Sequence, residues 1–422
     1  MLLTRLFGCL ILSALLLNAA VAADWLQFRG TAGQGISTET GLPTTWSASE
    51  NIVWKTAVPG AGTSSPIFVG DKIFLTAYRG YNVPGEGGGD MSQLERLVLC
   101  LNRNDGKLVW STPVPSKLPE QETIRDDHGY ASSTPVSDGQ RLYVFFGKAG
   151  VFALDLAGKI LWQADVGDGL NYWGSAASPI LHGNLVIVNA SVESQSLVAI
   201  NKNTGKEVWR ARGIKESWNT PIVVKTAAGK PEVVVAIMGD VLGFDPASGE
   251  ELWSCDTDIG WYMVPSLVAE KDVVYCIGGR GSGGGLAVRV GGRGDVTDTH
   301  RLWIAQKGSN VSSPLVYGGH LYWAHESLGI VYCANLATGG VVYEERLPRA
   351  GQFYSSPVLA DGKIYYTTRN GRTFVVAAQP KFELLATNDL GERSTFNACP
   401  VAADGRLFIR SDKTLYCLDQ LR

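Results

Sequence analysis

Short apolar runs alternate with polar, glycine-containing breaks along most of the chain, and their order repeats. One copy begins at Ser133-Thr134-Pro135, continues through further apolar runs and closes with an Asp, a Gly-Lys turn and Trp162. In this copy we predict four β-strands, at residues 134–136, 142–146, 151–154 and 160–164. The turns at Asp138-Gly139 and Ala157-Gly158-Lys159 suit tight hairpins that need a positive φ. Each copy is therefore predicted to form a four-stranded antiparallel sheet.

Eight copies of this unit follow one another, each starting at a proline. Neighbouring prolines stand 42 to 49 residues apart, except for a first interval of 69 residues that holds a glycine-rich insertion around residues 78–94. The repeat prolines are Pro66, Pro135, Pro179, Pro221, Pro265, Pro314, Pro357 and Pro400. Four short strands every ~40–50 residues are typical of a β-propeller blade. We therefore predict an all-β protein, with a single eight-bladed β-propeller domain spanning residues 24–422.

The two ends of the repeat array complement each other. The last copy, from Asn397 to Leu418, contains only three apolar runs, whereas residues 51–55 precede the first proline as a lone strand that includes Trp54. An open array would leave exposed strand edges, which proteins avoid. We predict that this N-terminal strand completes the last blade and closes the ring.

An aromatic residue closes most copies. The series is Trp54, Trp110, Trp162, Trp209, Trp253 and Trp303, with Tyr343 in the next copy and no aromatic residue in the copy after it. Burying an indole contributes about 2–3 kcal/mol of transfer free energy. Because the series repeats with the blades, we predict that these rings pack between neighbouring blades and serve architecture rather than function.

Composition excludes several classes of protein. Glycine accounts for 50 of 422 residues, and an interior glycine costs a helix about 1 kcal/mol, which argues against a helical bundle. Only 18% of residues are charged and the formal net charge is -3, so no nucleic-acid partner is expected. Six cysteines follow residue 23; three of them occupy the same place in different copies, so we predict buried free thiols rather than disulfides.

The first 23 residues are predicted to be a secretory signal peptide. Arg5 supplies a positive charge, an apolar run extends from Leu6 to Leu17, and small residues reach Ala23 before the polar Asp24. We expect cleavage after Ala22 or Ala23. No second apolar span follows, so the mature chain is expected to be exported to the periplasm or the cell exterior, without a transmembrane span.

The closing motif, Ala-x-Asp-x-x-x-Gly-Lys-x-x-Trp, resembles the tryptophan-docking motif of quinoprotein propellers that use pyrroloquinoline quinone (PQQ). It occurs at Asn102–Trp110, Ala153–Trp162, Ala199–Trp209 and Gly243–Trp253. The resemblance covers the whole mature chain and implies one of two functions. One group contains PQQ-dependent alcohol and sugar dehydrogenases; the other contains non-catalytic eight-bladed propellers similar to BamB, a periplasmic scaffold. The motif belongs to the outer strand, so it indicates the fold and leaves the function open.

The propeller topology predicts where a ligand would bind. Residues just before each repeat proline, and the turns between the second and third strands, share one face and surround the central funnel. Aromatic and amide side chains are frequent there, which suits a planar ligand or a peptide. The same side chains would also simply fill an axial channel. The ligand-binding candidates are Tyr130, Trp173, Trp218, Asn219, Trp261, Tyr354, Arg280 and Arg369.

A catalytic version would need more. The resemblance implies that a dehydrogenase would hold PQQ and a calcium ion through Glu, Asn and Asp side chains, for which Asn189, Glu193 and Asp240 are the candidates. The chain lacks the adjacent cysteine pair common in that group. We therefore expect a non-catalytic binding or scaffold propeller, with a protein partner or a small-molecule or glycan ligand in the cell envelope. The alternative is a periplasmic PQQ- and calcium-dependent alcohol or sugar dehydrogenase.

Overall fold

Eight β-sheets follow one another along the chain in the computed structural model, which describes residues 24–124, 128–280 and 284–420. Seven of the sheets have four antiparallel strands and one has a fifth. They are the blades of an eight-bladed β-propeller, which confirms the predicted fold class. The expected signal peptide, residues 1–23, lies outside the described residues. Within the described ranges, no helix is long and apolar enough to cross a membrane.

The blades are numbered here in chain order, and their strands from the innermost to the outermost. Blades 1 to 4 contain the strands Ile67–Val69, Lys72–Arg79, Glu95–Asn102 and Leu108–Val114; Val136–Ser137, Arg141–Phe145, Val151–Asp155 and Ile160–Ala164; Ile180–His182, Leu185–Ala190, Ser196–Asn201 and Glu207–Arg212; Ile222–Lys225, Pro231–Ala236, Asp240–Phe244 and Glu251–Asp256. Blades 5 to 8 contain Val268–Glu270, Val273–Gly278, Gly284–Arg289 and Arg301–Ala305; Leu315–Tyr317, His320–Ala324, Ile330–Asn335 and Val341–Arg346; Val358–Ala360, Lys363–Thr367, Arg372–Ala377 and Leu384–Asp389; Val401–Ala403, Arg406–Arg410, Thr414–Leu418 and Ile52–Ala57.

Few other elements occur in the described residues. Blade 1 carries the hairpin Tyr81–Val83 with Gly87–Gly89, and Gly294–Asp295 adds a fifth, parallel strand to blade 4. The helical turns are Thr31–Gly33, Met91–Gln93, Gly147–Ala149, Ser191–Ser194 and Thr297–His300. The hydrophobic core lies between the blades, where side chains of adjacent sheets interdigitate. The six cysteines of the described chain are free and buried, as predicted.

The ring closes as the sequence predicts. Ile52–Ala57 pairs antiparallel with Thr414–Leu418, with Trp54 opposite Cys417, and becomes the outermost strand of blade 8. The last blade thus joins the two ends of the chain. This pairing covers a strand edge that would otherwise be open.

A hydroxyl ring explains the Ser-Pro and Thr-Pro pairs that start the copies. The backbone N–H of Ser65 donates to Thr134 Oγ1 of the next blade at 2.9 Å, and the N–H of Thr134 donates to Ser178 Oγ at 2.9 Å. Among the described residues seven such bonds link successive blades. We call these positions the hydroxyl ring: Ser65, Thr134, Ser178, Thr220, Ser266, Ser313, Ser356 and Cys399.

The ring corrects one repeat position. Ser266 accepts the bond from Thr220 at 3.0 Å and donates its N–H to Ser313 at 2.9 Å. The residue that follows it, Leu267, therefore occupies the repeat-proline position in blade 5. Pro265 lies two residues too early, because it precedes the hydroxyl residue instead of following it.

Most of the repeated tryptophans bridge two blades. Trp110 Nε1 donates to the Leu156 carbonyl of the next blade at 3.2 Å. In the same turn Gly158 has a φ of 90°, and a Cβ there would lie 2.9 Å from the Trp110 ring. The turn thus needs glycine both for its backbone and for the indole beneath it. The equivalent bonds run from Trp162 to Lys202, from Trp209 to Pro246 and from Trp303 to Leu336.

Trp253 is held differently. Its Nε1 donates to the buried Glu232 carboxylate of its own blade at 2.8 Å. Between its third and fourth strands, blade 5 has a longer connection, which contains Gly294–Asp295 and Thr297–His300, instead of the short glycine turn. A carbonyl of a short turn is therefore not the acceptor for this indole, and the carboxylate takes its place.

The N-terminal strap, residues 24–46, was not predicted. It crosses the face opposite the funnel, next to the turns that link first and second strands. Trp25 forms a bridge with Phe68 of blade 1, and Ile36 forms one with Leu359 of blade 7. Ser37 Oγ then donates to the Ala402 carbonyl of blade 8 at 3.0 Å. The strap therefore closes one end of the axial channel.

The strap also supplies a missing aromatic ring. Blade 7 has Ala386 where other blades carry a tryptophan or tyrosine, and Ala386 packs against the core cluster that contains Trp46. The Trp46 ring is 3% exposed and stacks on Tyr365 at a centroid distance of 6.3 Å. The backbone N–H of Trp46 donates to Asn388 Oδ1 at 2.9 Å. A tryptophan from outside the repeat thus packs on the blade that has lost its own.

Candidate functional site

The central cavity lies within the hydroxyl ring and has a volume of about 250 Å³. Residues from all eight blades line it, and Phe28 of the N-terminal strap lines it from the opposite face. Its wall is a belt of hydroxyl groups, because each ring residue precedes the first strand of its blade. The cavity is consequently a blind funnel with a polar wall, open toward the predicted ligand-binding face.

An aromatic cluster forms one side of the mouth. Tyr262 lies at its centre, with ring centroids 5.7 Å from Trp173, 5.5 Å from Trp218 and 5.2 Å from Trp261. Trp218 is fixed by a hydrogen bond from Nε1 to the Gly174 carbonyl at 2.7 Å. Trp173, Trp218 and Tyr262 line the cavity. Trp261 is 37% exposed and lies at the rim, outside the lining.

The opposite side carries a stacked pair of residues. Tyr354 lines the cavity, and the Arg369 guanidinium carbon lies 4.4 Å from the centre of its ring, within cation–π range. Arg369 itself does not line the cavity. Arg280 does, and it brings a positive charge to the mouth. Four predicted residues, Trp173, Trp218, Tyr354 and Arg280, therefore lie around one space.

Two of the predicted ligand-binding residues, Tyr130 and Asn219, have structural roles instead. Tyr130 is buried beside blade 1, where its hydroxyl donates to the Gln121 carbonyl at 2.6 Å and burial raises its pKa to about 12. Asn219 is fully buried, and its Nδ2 donates to the Ala236 carbonyl at 2.6 Å while its Oδ1 accepts the Ala236 N–H at 3.2 Å. Neither lines the central cavity, because both side chains turn into the space between strands and loops.

Asn310 and Glu326 form a polar group near the aromatic cluster, and neither is among the predicted ligand-binding residues. The Asn310 N–H donates to Glu326 Oε2 at 3.0 Å, and Asn310 Nδ2 donates to the Tyr262 hydroxyl at 3.3 Å. Asn310 Oδ1 is buried without a partner among the described residues. The same carboxylate lies 3.3 Å from His325 Nδ1, and burial lowers the pKa of that histidine. Asn310 precedes the repeat proline Pro314, and His325 and Glu326 lie in a turn of the funnel face. These sequence positions are the signal by which the group could have been predicted.

The three calcium candidates are not gathered into one site. Asn189 is 3% exposed; its Nδ2 donates to Ser217 Oγ at 2.8 Å and its Oδ1 accepts the Ser191 N–H at 3.1 Å. Glu193 is buried near Glu120 and Arg96, whereas the charges that act on Asp240 are Asp256 and Asp295. The described chain contains no cluster of three His, Cys, Asp or Glu side chains with metal-binding geometry. These residues do not fit a calcium ion.

Glu193 belongs to a separate side pocket of about 30 Å³ between blades 1, 2 and 3. Its Oε1 accepts a hydrogen bond from Ser175 Oγ, while Oε2 is buried without a partner among the described residues. Burial raises the pKa of Glu193 to about 7. The side pocket is therefore a place where a carboxyl group stays protonated in mild acid, and it lies apart from the aromatic cluster.

Comparison with known proteins identifies relatives that match most of the propeller. A family model described as outer membrane protein assembly factor BamB matches residues 94–345 and 193–421. BamB of Yersinia pestis is 24% identical over 382 residues, which cover 77% of this chain and 88% of that protein. The family match extends over most of the repeat array.

Two enzymes are also similar. The tetrathionate hydrolase of Acidithiobacillus ferrooxidans is 24% identical over 353 residues, which cover 75% of this chain but only 64% of that protein. The structure of the quinohemoprotein alcohol dehydrogenase from Comamonas testosteroni superimposes with a TM-score of 0.65 at 12% identity, covering 94% of this chain and 80% of that one. At that identity the superposition shows a shared fold.

Proposed function

The chain belongs to the family described as outer membrane protein assembly factor BamB, and we propose that it is a non-catalytic binding propeller of the cell envelope. In this proposal the chain is exported, and the central cavity with its aromatic cluster holds a ligand or a partner. The observation that carries the proposal is the division between a repeated wall and an unrepeated mouth. Seven blades supply a similar hydroxyl to the wall and blade 8 supplies the thiol of Cys399. Only some blades supply an aromatic residue, which is Trp173, Trp218, Tyr262 or Tyr354.

The form of the cavity supports binding rather than transport through the ring. Phe28 lines it from the strap side, so a molecule that enters from the funnel face meets a closed end. Aromatic faces and a few polar groups at the mouth are typical of sites for small ligands or peptide segments. Tyr262 is in contact with three tryptophan rings, which makes the cluster a preformed surface.

The alternative function, a PQQ- and calcium-dependent dehydrogenase, has less support. Asn189 uses both amide atoms in hydrogen bonds within the protein, and Asp240 faces other carboxylates. A calcium ion needs six to eight oxygen ligands. Freeing Asn189 for an ion would break its hydrogen bonds to Ser191 and Ser217. The candidate ligands therefore favour a binding module over the metal-dependent enzyme.

Site-specific photo-cross-linking in cells tests the proposal. A benzoylphenylalanine at Trp261, an exposed rim residue, reports on molecules at the mouth; the same residue at Val208, 50% exposed on an outer strand, is the matched control. We expect a specific adduct, identified by mass spectrometry, at position 261 and none at 208. Adding Trp173→Ala should reduce it severalfold. Equal adducts at both positions, or none at 261, would contradict a binding function for this face.

A further inference from the structure

Glu326 is the one acidic side chain among the described residues that line the central cavity. It lies in the turn between the second and third strands of blade 6, on the funnel face. The residue is 5% exposed, so its carboxylate is largely removed from bulk water. A buried carboxylate is unfavourable unless charges or hydrogen bonds compensate it. The partners of this group therefore show what the cavity still lacks.

Only one of the two carboxylate oxygens of Glu326 is bonded within the protein. Oε2 accepts the backbone N–H of Asn310 at 3.0 Å. Oε1 has no hydrogen-bond partner among the described residues, and unlike Glu193 Oε2 it is not sealed from solvent. Because Glu326 is part of the cavity lining, the structure places an accessible, unbonded carboxylate oxygen at the cavity wall.

His325 lies beside this carboxylate but does not neutralise it. His325 Nδ1 is 3.3 Å from Glu326 Oε2, yet the backbone N–H of Ser327 donates to the same nitrogen at 3.3 Å. A ring nitrogen that accepts a hydrogen bond carries no proton, so its contact with Oε2 joins two acceptors. Burial also lowers the pKa of His325, which favours the neutral ring. Lys307, which also acts on His325, is paired with Glu344 at 3.0 Å. Within the described ranges, no positively charged side chain forms an ion pair with Glu326.

Two other buried carboxylates show how the protein compensates such a charge elsewhere. Glu120 pairs with the buried Arg96 at 2.7 Å. Glu232 pairs with Arg293 at 3.4 Å and also accepts an indole N–H and a backbone N–H. Glu326 differs from both, because its free oxygen faces a cavity of about 250 Å³ instead of a donor of the protein.

Asn310 joins this carboxylate to the aromatic cluster. Its backbone N–H donates to Glu326 Oε2, and its Nδ2 donates to the Tyr262 hydroxyl at 3.3 Å. The Tyr262 ring lies 5.7 Å from Trp173 and 5.5 Å from Trp218, and all three rings line the cavity. The face of an aromatic ring attracts cations, most strongly where water is excluded. A negative carboxylate and a group of aromatic faces therefore lie side by side in the wall of one cavity.

We propose that the central cavity takes a small organic ammonium ion, whose charged nitrogen lies against Glu326 while its apolar part contacts the aromatic cluster. The proposal rests on the binding function proposed above and names the chemical class of the ligand. An N–H of the ammonium group would donate to Glu326 Oε1 and supply the charged partner that the carboxylate lacks. Arg280 repels a cation, but it is exposed at the mouth, where water and salt screen its charge.

Three benzene derivatives of similar size test the charge of the ligand on the wild-type protein. Benzylamine is a cation at neutral pH, benzyl alcohol is neutral and benzoate is an anion; ligand-observed NMR titration gives the Kd of each. We expect benzylamine to bind at least about tenfold more tightly than benzyl alcohol, since only the cation gains the pair with Glu326. Equal affinities of the amine and the alcohol, tighter binding of benzoate than of benzylamine, or no binding of benzylamine would overturn the proposal.

Two variants of blade 6 assign the preference to one carboxylate. Glu326→Gln keeps the shape of the side chain and removes its charge, so benzylamine and benzyl alcohol should then bind alike. Glu345→Gln makes the same change of charge at an exposed position of the outermost strand and should keep the preference for the amine. A preference that survives in Glu326→Gln would show that the cation lies elsewhere and would overturn the proposal.

A variant at the mouth covers the case in which Glu326→Gln does not fold. Arg280→Gln removes an exposed positive charge from the cavity and should strengthen benzylamine binding severalfold, whereas Arg289→Gln, exposed on the third strand of blade 5, should not change it. Unchanged or weaker binding in Arg280→Gln would contradict a cation in the cavity. A cross-link at position 261 without a preference for benzylamine overturns the ammonium ligand alone; the preference without a cross-link overturns the cellular binding function alone.

Discussion

The outer and inner rings of this propeller use aromatic residues in opposite ways. In the outer ring Trp110, Trp162 and Trp209 repeat one arrangement, in which an indole donates to the next blade and a glycine turn covers its face. At the cavity mouth Trp173 and Trp218 have no counterpart in most other blades. The difference teaches that repetition marks architecture, and we propose that the unrepeated aromatic residues of the mouth form the surface for binding.

The largest expected effect separates the two rings by stability. Trp209→Ala removes a ring that is 7% exposed and bonded to the Pro246 carbonyl, so we expect a loss of about 3–5 kcal/mol in the free energy of unfolding. Trp173→Ala, at the half-buried mouth, should cost about 1 kcal/mol. Urea unfolding measures both. Equal losses would mean that the mouth tryptophan is as architectural as the outer one.

A smaller effect isolates the contact between glycine and indole. Gly205→Ala puts a Cβ 2.8 Å from the Trp162 ring at a φ of 72°, whereas Gly229→Ala has a φ of 77° and no atom within 4 Å. Backbone strain of about 1 kcal/mol is common to both. The Gly205 variant should lose about 1–3 kcal/mol more, from overpacking. The difference in urea midpoint between the two variants measures how much the contact between glycine and indole contributes to stability. A zero difference would show that this contact contributes nothing.

The smallest expected effect is a pH dependence of folding stability, which arises from Glu193 in the side pocket. Burial raises the pKa of Glu193 to about 7, so between its ordinary value of 4.5 and 7 the unfolded chain releases a proton that the folded protein keeps. This contribution to stability is therefore present below that window and lost as the pH rises through it. Glu193→Gln should match the wild type near pH 5 and melt higher at pH 8. Thermal unfolding at both values, with Glu207→Gln as an exposed control, checks the sign.

Much of the fold could be predicted because each blade follows the same pattern of apolar runs, turns and closing aromatic residues. Trp54 opposite Cys417 shows that the closing strand was recognisable from an incomplete last copy. Pro265 misplaced one blade start, since the feature that repeats is the hydroxyl residue, Ser266, rather than the proline. The N-terminal strap escaped prediction because Phe28 and Arg29 belong to no repeat and make contacts far away along the chain.

The candidate site was predictable only as a face. Trp173 and Tyr354 line the cavity as expected, because the turn before each first strand points to the funnel. Tyr130 and Asn219 share that sequence position, yet their side chains turn away and bond to the Gln121 and Ala236 backbones. Repeat position gives the blade and the face. The direction of a side chain depends on the loop conformation, which differs between blades.

Binding without catalysis is the function that we propose for this face. The most direct measurement is titration of the mature protein with PQQ and calcium, followed by a dye-linked assay on a panel of alcohols and sugars. We expect no turnover above the protein-free background at any PQQ concentration, since Asn189 and Asp240 are not placed to hold the ion. Saturable turnover that requires both PQQ and calcium would contradict it and establish the dehydrogenase.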